Sequence, residues 1–302
     1  MSMSNNRDRT LVFLSCLIAL VALGQESETP DQTRQLWDES FNQRRQSKDA
    51  DAALNPSPPK PRQKAAAPIA TKQSKSEQLA DSLIGVTLWR LRPARSGDPE
   101  SAVIVATSTE RLVAERIEVG TPLKAGDRLR IGIEVARSGY LYLVDRERYA
   151  DGTTGDPFLI FPRLRIRGGD NRVRAGRLIE IPDLDDTPPF FTLKPNRPDY
   201  AGETLTVIVA PEPMADLRPG RTSVELAEAQ VSKWEKQWGG PTQRIELAGG
   251  AGTLYTGAER QSAVGTRLLT QEEPAPQTMY RVESKPGSPM LFQVPLEVQK
   301  EE

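Results

Sequence analysis

Histidine is absent from the chain, and the one cysteine is Cys16, which lies in an apolar N-terminal stretch. The absence of histidine excludes Ser-His-Asp and Cys-His nucleophile pairs, a histidine general base and zinc sites with histidine ligands. Once the N-terminal stretch is removed, thiolate chemistry and cysteine-ligated metals are excluded as well. Only carboxylate, lysine, hydroxyl or tyrosine chemistry is left. We therefore predict that the protein is not an enzyme and has no catalytic residue, no cofactor and no metal ligand.

An excess of one charge sign is also absent. The 40 lysines and arginines almost balance the 41 aspartates and glutamates, which gives a formal net charge of −1. No overall positive field would attract a nucleic acid, so we predict no nucleic-acid partner. The chain is long enough to bury a stable core without disulfides, which small exported domains need most.

A long hydrophobic run is lacking too. The apolar segment Leu11–Leu23 is shorter than the ~20 residues that a helix needs to cross a bilayer core of ~30 Å. Arg7 and Arg9 precede it, and the small-x-small sequence Ala22-Leu23-Gly24 ends it. Positive residues, a short apolar run and a small-residue cleavage site are typical of a secretory signal peptide. We predict that residues 1–24 are a cleaved signal peptide and that no transmembrane span remains.

Export leads to a predicted location in the periplasm or outside the cell. Two alternatives use the same N-terminal segment. In one, the segment stays uncleaved and anchors the chain in the membrane. In the other, Cys16 is lipidated, although Leu14 fits poorly before the small residue next to that cysteine.

Residues 25–78 contain few apolar side chains and are rich in Gln, Ser, Asp, Lys, Ala and Pro. The stretch Asn55–Pro61 favours extended, polyproline-like backbone. Such a composition cannot bury enough surface to offset the entropy lost on ordering, so we predict a disordered tether. Within it, Thr33–Arg44 fits a transient or partner-induced helix around Leu36, Trp37 and Phe41, which form an imperfect apolar face. The basic stretch Lys60–Lys75 is interpreted as solvated linker, with weak attraction to anionic polymer or lipid as the alternative.

Residues 79–213 consist of short β-type segments, each closed by Gly, Pro, Asn or Asp. Apolar residues alternate strictly through 129–135, which predicts a strand with one apolar face, and Gly139–Asp145 is apolar on both faces, which predicts a central strand. Strands are predicted at 84–91, 102–107, 129–135, 140–144, 158–161, 178–181, 190–193 and 204–210, with an exposed or edge strand at 163–167. Residues 108–123 fit either a helix or a strand. This series predicts a mainly β fold, an antiparallel β-sandwich (Ig-like or related).

Residues 214–302 follow a different pattern and are predicted to be a C-terminal extension. The sequence Thr222-Ser223-Val224-Glu225 is typical of a capping box, so a helix is predicted at 223–238, ended by Gly239-Gly240. Its apolar face consists of Ala227, Val231, Trp234 and Trp238. A polar strand is predicted at 244–247 and a final strand at 290–298, where Pro295 indicates an edge position.

Several motifs of the β region follow one another in a fixed order. They are Gly139–Asp145 (GYLYLVD), Asp151-Gly152, Leu159–Pro162 (LIFP), Asn171–Val173, Ala175-Gly176, Ile181-Pro182 and Glu203–Val207. This series resembles a bacterial domain family catalogued only as a domain of unknown function, over about residues 115–213. Members of that family follow signal peptides or are appended to caspase-like peptidases and bacterial protein kinases. The resemblance implies a β domain in an exported protein and carries over no catalytic residue.

Aromatic residues form the candidate partner or ligand surface, namely Trp89, Tyr140, Tyr142, Trp234 and Trp238. The favoured function is a non-catalytic recognition or scaffold domain of the bacterial cell envelope that binds another envelope protein by strand addition. The alternative is a module that binds carbohydrate or peptidoglycan, a cell-wall polymer, through two coplanar and solvent-facing tryptophans. Burial of the tryptophans would favour the first function.

Carboxylates cluster in two regions of the sequence. One group is Asp145, Glu147, Asp151 and Asp156, and the other is Asp183, Asp185 and Asp186. Hard oxygen ligands suit calcium, but the spacing does not match the EF-hand loop, and two arginines lie within the first group. A less favoured function is a hydrolase in which two carboxylates face each other ~5 to 10 Å apart.

Overall fold

The structure is a computed structural model that describes residues 41, 45, 83–264, 269–271, 273–285 and 287–299. The predicted signal peptide at 1–24 lies outside the described residues. The predicted tether at 25–78 also lies outside them, apart from Phe41 and Arg45. No helix in the described part of the chain is long and apolar enough to cross a membrane.

The described chain is mainly β, as the alternating segments predict. Its strands are β1 (Leu83–Pro93), β2 (Val103–Ala106), β3 (Arg111–Ile117), β4 (Arg128–Val135), β5 (Gly139–Tyr149), β6 (Phe158–Phe161), β7 (Arg172–Val173), β8 (Leu178–Ile181), β9 (Phe191–Thr192), β10 (Tyr200–Ala210), β11 (Val224–Glu225), β12 (Thr242–Glu246), β13 (Thr278–Val282) and β14 (Met290–Glu297). Two α-helices are described, α1 (Glu228–Trp238) and α2 (Gly257–Ala263). The open choice at 108–123 is resolved as strand β3.

The strands form two antiparallel sheets. In sheet I, the long strand β1 pairs along one side with β13 and, further along, with β3. Along its other side it pairs with β4. β12 lies beyond β13, β2 lies beyond β3, and β8 and β9 lie beyond β4. Sheet II has the order β11-β6-β5-β10-β14, with β7 beside β5. The predicted antiparallel β-sandwich and the central position of β5 are confirmed.

The main core lies between the two sheets. The four apolar residues of β4 all point into it, where they meet Leu141 and Leu143 of β5 and the apolar residues of β10 and β14. Fully burying a side chain of this size contributes about 1.5–3 kcal/mol, so alternation along the strands fixes which face of each sheet turns inward.

The outer face of sheet II is covered by helix α1. Val231 and Trp234 pack against Tyr142 and Ile208. The sequence predicts that this helix begins at 223, but it begins at Glu228. Val224 and Glu225 instead pair with β6 as strand β11. The predicted capping box therefore does not form in this helix, whose N-cap, Ala227, makes no side-chain cap.

The outer face of sheet I carries charged side chains that are nevertheless buried, beside the apolar cluster of Trp89 and Tyr255. Arg130 of β4 contacts Glu180 of β8 at 2.5 Å, and Arg116 of β3 pairs with Glu259 of α2. The Tyr255 hydroxyl donates to Glu180 at 2.8 Å. Buried charges of this kind are tolerated only in pairs, because an isolated one loses its hydration without compensation. Tyr255 and helix α2 of the C-terminal segment cover this face of sheet I. The alternation of residues along the strands does not indicate that the face is covered.

Two residues from the predicted tether dock on the same sheet. Arg45 donates from Nε and from one terminal nitrogen to the two carboxylate oxygens of Glu134, at 2.9 and 2.6 Å. Its guanidinium also donates to the carbonyl oxygens of Thr270, Glu273 and Pro274. Phe41 is fully buried in an apolar cluster with Leu83, Ala136, Ile245 and Met279.

Two further differences from the sequence-based expectation concern turns and boundaries. Residues 163–167 are not an edge strand: Pro162 closes β6, buried Ile166 bridges back to Arg163, and the chain then turns through a 3₁₀ segment at Arg167–Gly169. The segment after Pro213 supplies β12 and β13 to sheet I and β14 to sheet II, so it completes the sandwich as one folded unit.

Replacing Arg45 by methionine should lower the free energy of unfolding by about 3 kcal/mol, because Glu134 is left buried without its cation. Adding Glu134→Gln to that variant should recover most of the loss, since the unpaired charge is then gone. Urea unfolding followed by tryptophan fluorescence measures both changes. Arg95→Met, at an exposed position, is the matched control and should change little. An Arg45→Met variant as stable as the parent would contradict the contact.

Candidate functional site

The predicted aromatic surface does not form at Trp89. The side chain is fully buried under the cover of sheet I, and its ring meets Tyr255 edge to face with centroids 5.5 Å apart. Gly132 lies so close beneath the indole that an added Cβ would be 2.5 Å from it. Trp89 is therefore a core residue and is removed from the candidate ligand surface.

The other predicted aromatics lie on the outer face of sheet II. Trp234 and Trp238 are nearly parallel, at 11° and 5.9 Å between ring centroids, but Trp234 is only 6% exposed and both pack on the sheet. Tyr142 is buried and its hydroxyl accepts from the Met214 N–H at 2.8 Å. Tyr140 is half-buried beside them. The coplanar, solvent-facing pair that a sugar site would need is absent from this helix.

An open groove of about 520 Å³ lies between the lateral edges of the two sheets. β14 forms one side, β12 and β13 form the other, and the end of α1 closes the top. The groove is lined by Glu235, Gly239, Gly240, Thr242, Arg244, Tyr280, Leu291, Phe292, Gln293 and Pro295. Grooves that bind peptides or small molecules combine an apolar floor with a few polar groups, and this one has both.

The floor of the groove is the stacked pair Tyr280 and Phe292, with ring centroids 4.4 Å apart. Tyr280 is 2% exposed, and its hydroxyl has no hydrogen-bond partner within the described ranges. Burial raises the pKa of this hydroxyl, with a further rise from Glu246 and an opposing effect of Arg244, so it stays protonated. A buried O–H without a partner is a hydrogen-bonding group that a ligand entering the groove can satisfy.

The exposed side of the groove is the edge of β14, which forms a ladder only with β10 among the described strands and has one isolated bridge, from Leu291 to Gly239 at the end of α1. At the end of β14, the Glu297 carbonyl points away from β10, because it accepts from the Leu123 N–H at 2.8 Å. Backbone groups alternate in direction along a strand, so Gln293 and Pro295 face the same way as Glu297. The edge position predicted from Pro295 is confirmed, and Gln293 presents both an N–H and a C=O to the groove.

The rim of the groove carries one charge of each sign. Glu235 accepts from the Gln293 side-chain amide at 3.1 Å, and Arg244 lies 3.5 Å from Glu246 on β12. Both Arg244 and Gln293 are exposed. A segment bound here would therefore meet a backbone ladder, an aromatic floor and two oppositely charged ends.

The glycine pair Gly239-Gly240 lines the groove where the chain passes close to neighbouring backbone. A Cβ on Gly239 would lie 2.3 Å from the Glu235 carbonyl oxygen, and one on Gly240 would lie 2.5 Å from the Glu283 carbonyl oxygen. Only glycine lets the chain pass from α1 to β12 at this distance from backbone. The sequence predicts these glycines as a helix end, but it predicts no strand at Tyr280. The β-branched and aromatic residues at the alternate positions Thr278, Tyr280 and Val282 are the signal that indicates β13.

The predicted acidic groups are distributed differently from a calcium site. Asp151 is paired with Arg197 at 3.0 Å, and Glu147 accepts from Tyr149 and from Asn196. Asp183 and Asp186 hold a turn, in which Asp186 accepts from the Asp183 N–H at 2.6 Å. No set of three or more acidic side chains is arranged to hold a metal ion in the residues that the structure describes.

Three carboxyl groups do meet at the inner end of sheet II. Register places Glu203 of β10 opposite Glu147 of β5, with Asp145 two residues along. Burial raises the pKa of Asp145, and the negative charge of Glu203 raises it further. Burial also raises the pKa of Glu203 to about 7, against the opposing effect of the Tyr200 hydroxyl, which donates to it at 2.9 Å. Asp145 and Glu203 therefore keep their protons to a higher pH than ordinary carboxyl groups do.

Comparison of the chain with protein-family models, with curated proteins and with solved structures finds no match. The resemblance of residues 115–213 to a bacterial domain family therefore stays a prediction.

Stability should fall as the pH rises from about 5 to about 8, because of Glu203. The pKa of Glu203 is about 7 in the folded chain and 4.5 in the unfolded chain, so the folded state binds this proton more tightly. The stabilisation by the bound proton is complete below the unfolded pKa and is lost as the pH rises through the folded pKa. At pH 8, Glu203→Gln should therefore be more stable than the parent by on the order of 2 kcal/mol, with no difference near pH 4.

Urea unfolding at several pH values measures this difference directly. Glu212→Gln, at an exposed position in a loop, is the matched control and should keep the parent's pH dependence. A Glu203→Gln variant with the same pH slope as the parent would contradict the assignment to Glu203.

Proposed function

We propose that this protein is a non-catalytic recognition domain of the bacterial cell envelope that binds an extended segment of a partner protein by strand addition to β14. The observation that carries the proposal is the accessible backbone of Gln293 beside a groove with an aromatic floor. An added strand gains main-chain hydrogen bonds at such an edge, and pockets for alternate side chains give it specificity.

The occupant is a single extended strand with an apolar residue in its middle. Pro295 has no N–H, so the ladder to a new strand is interrupted there and is centred on Gln293. The apolar residue would lie on Tyr280 and Phe292, where the unpartnered Tyr280 hydroxyl could donate to a backbone carbonyl of the bound segment. Glu235 and Arg244 at the rim favour a segment that carries a basic and an acidic residue on either side.

Carbohydrate binding is less well supported by the geometry. Sugar-binding surfaces use exposed aromatic faces, whereas Trp89 and Trp234 are buried and the two rings of the groove form a floor below a strand edge. The hydrolase alternative is also less well supported, because the carboxyl groups of Glu147 and Glu203 accept hydrogen bonds within the chain. Tyr149 and Asn196 donate to Glu147, and Tyr200 donates to Glu203. Export and location in the envelope are part of the proposal and rest on the sequence of residues 1–24.

Gln293→Pro should abolish strand addition while preserving the fold. Proline removes the outward N–H of residue 293, and Pro295 already occupies an equivalent position on the same edge, so the ladder to β10 is kept. Ten-residue peptides are selected from a display library against the full-length protein, and their affinities are measured by fluorescence polarisation. We expect Gln293→Pro to weaken the selected peptides at least about tenfold.

The matched control is Gln293→Thr, which changes the same side chain and keeps the backbone N–H, and its peptide affinity should stay within about twofold of the parent. Selected peptides that bind the proline variant as well as the parent would contradict strand addition. Co-sedimentation with insoluble peptidoglycan, in the absence of any selected peptide, would favour the carbohydrate module instead.

A further inference from the structure

A dense basic segment lies at the sheet edges opposite the groove. Six arginines and one aspartate occur between Arg163 and Arg177, although the chain as a whole is nearly neutral. This segment connects β6 to β8 and includes β7. β7 lies on the side of β5 away from β10 and β14, and β8 lies on the side of β4 away from β1 and β13.

The fold of this segment gathers four of the arginines around a small pocket of about 80 Å³. Its polar lining is Arg167, Arg172, Arg174, Arg177 and Asp170, and its floor is Val173, Leu178 and Ile179. Pockets for drug-sized ligands measure roughly 300–1,000 Å³, so this one suits a single small group. The lining contains four positive charges and one negative charge.

The positive charge of the pocket is only partly neutralised within the chain. Arg172 is paired with Asp170, with Nε 3.0 Å from the carboxylate, and Arg167 lies 3.7 Å from Asp183. The side chains of Arg174 and Arg177 make no hydrogen bond or ion pair with the residues that the structure describes. Arg174 is exposed and Arg177 half-buried, so both can reach a ligand from solvent.

The backbone beside the pocket is held in an unusual conformation. Arg167 has φ of 52°, in the left-handed region that residues other than glycine rarely adopt, and Gly168 and Gly169 follow with φ of 62° and 84°. Strained residues of this kind persist where the surrounding structure fixes them and are frequent at ligand-binding sites. Here the turn brings Arg167 into the lining of the pocket, to which β8 also contributes.

We propose that this pocket binds a phosphoryl group, with Arg174 and Arg177 as the principal ligands and Arg167 and Arg172 beside them. The planar guanidinium donates two parallel N–H bonds to an oxyanion, and several such groups around one small pocket match the three oxygens of a phosphate ester. This site is separate from the groove and does not depend on the proposed strand addition. Because it lies at the opposite sheet edges, both sites can be occupied together.

The test is isothermal titration calorimetry of the full-length protein with inorganic phosphate, at an ionic strength held constant with sodium chloride. The parent should bind phosphate saturably and more weakly as chloride is raised, because salt screens the attraction. The double variant Arg174→Gln/Arg177→Gln should bind at least about tenfold more weakly, since two charge-assisted contacts are lost.

The control variant Lys233→Gln/Lys236→Gln removes the same charge from exposed positions on α1 and should keep the parent's affinity. Thermal unfolding confirms that each variant is folded, and the exposed single variant Arg174→Gln is used if the double variant is not. Absence of saturable binding by the parent, or equal binding by the arginine variant, overturns the site. Glucose 1-phosphate distinguishes the source: binding as tight as that of inorganic phosphate indicates an esterified group, and much weaker binding indicates the free ion.

Discussion

Charged side chains on the outer face of sheet I impose the condition that the rest of the fold satisfies. Glu134 and Arg130 lie on one central strand, and neither is reached by water. A buried charge without a counter-ion destabilises the folded state by several kcal/mol, so whatever covers this face has to bring the partners. Helix α2 brings Glu259 to Arg116, and the N-terminal segment brings Arg45 to Glu134. These distant parts of the chain are therefore bound to the sandwich by electrostatics as well as by apolar packing.

The edge strands of the two sheets, β12 and β14, differ in how well they are protected from pairing with strands of other chains. Strand edges invite pairing with other chains, and proteins limit this with proline, short strands or a cover. β12 is short, whereas β14 is long and carries a single proline near its end. The accessible part of β14 is thus restricted to a few residues next to Tyr280, which favours a specific partner over general aggregation. The opposite edges carry arginines, which repel one another between copies.

Local sequence patterns predict most of the sandwich, because apolar and polar residues alternate along its strands and the apolar positions are the buried ones. The apolar face of β4, the central β5 and the edge proline of β14 each follow from period-two alternation or backbone chemistry. The groove and its floor were not predicted, because β13 is short and borders glycine-rich and polar sequence, so its weak alternation becomes meaningful only together with its pairing with β1 and β12. Of the aromatic residues predicted as a surface, Trp89, Tyr142 and Trp234 are core residues and Tyr140 and Trp238 are half-buried, because large aromatic side chains contribute most by burial.

The docking of Phe41 and Arg45 on sheet I also limits how far residue 25 can lie from the sandwich. Residues 25–78 could span about 190 Å if fully extended, whereas residues 25–40 could span about 60 Å, at 3.3–3.6 Å per residue. With Phe41 fixed on the sandwich, covalent geometry alone makes the shorter of these two lengths the limit. The contacts of two side chains thus reduce the greatest possible distance to about a third.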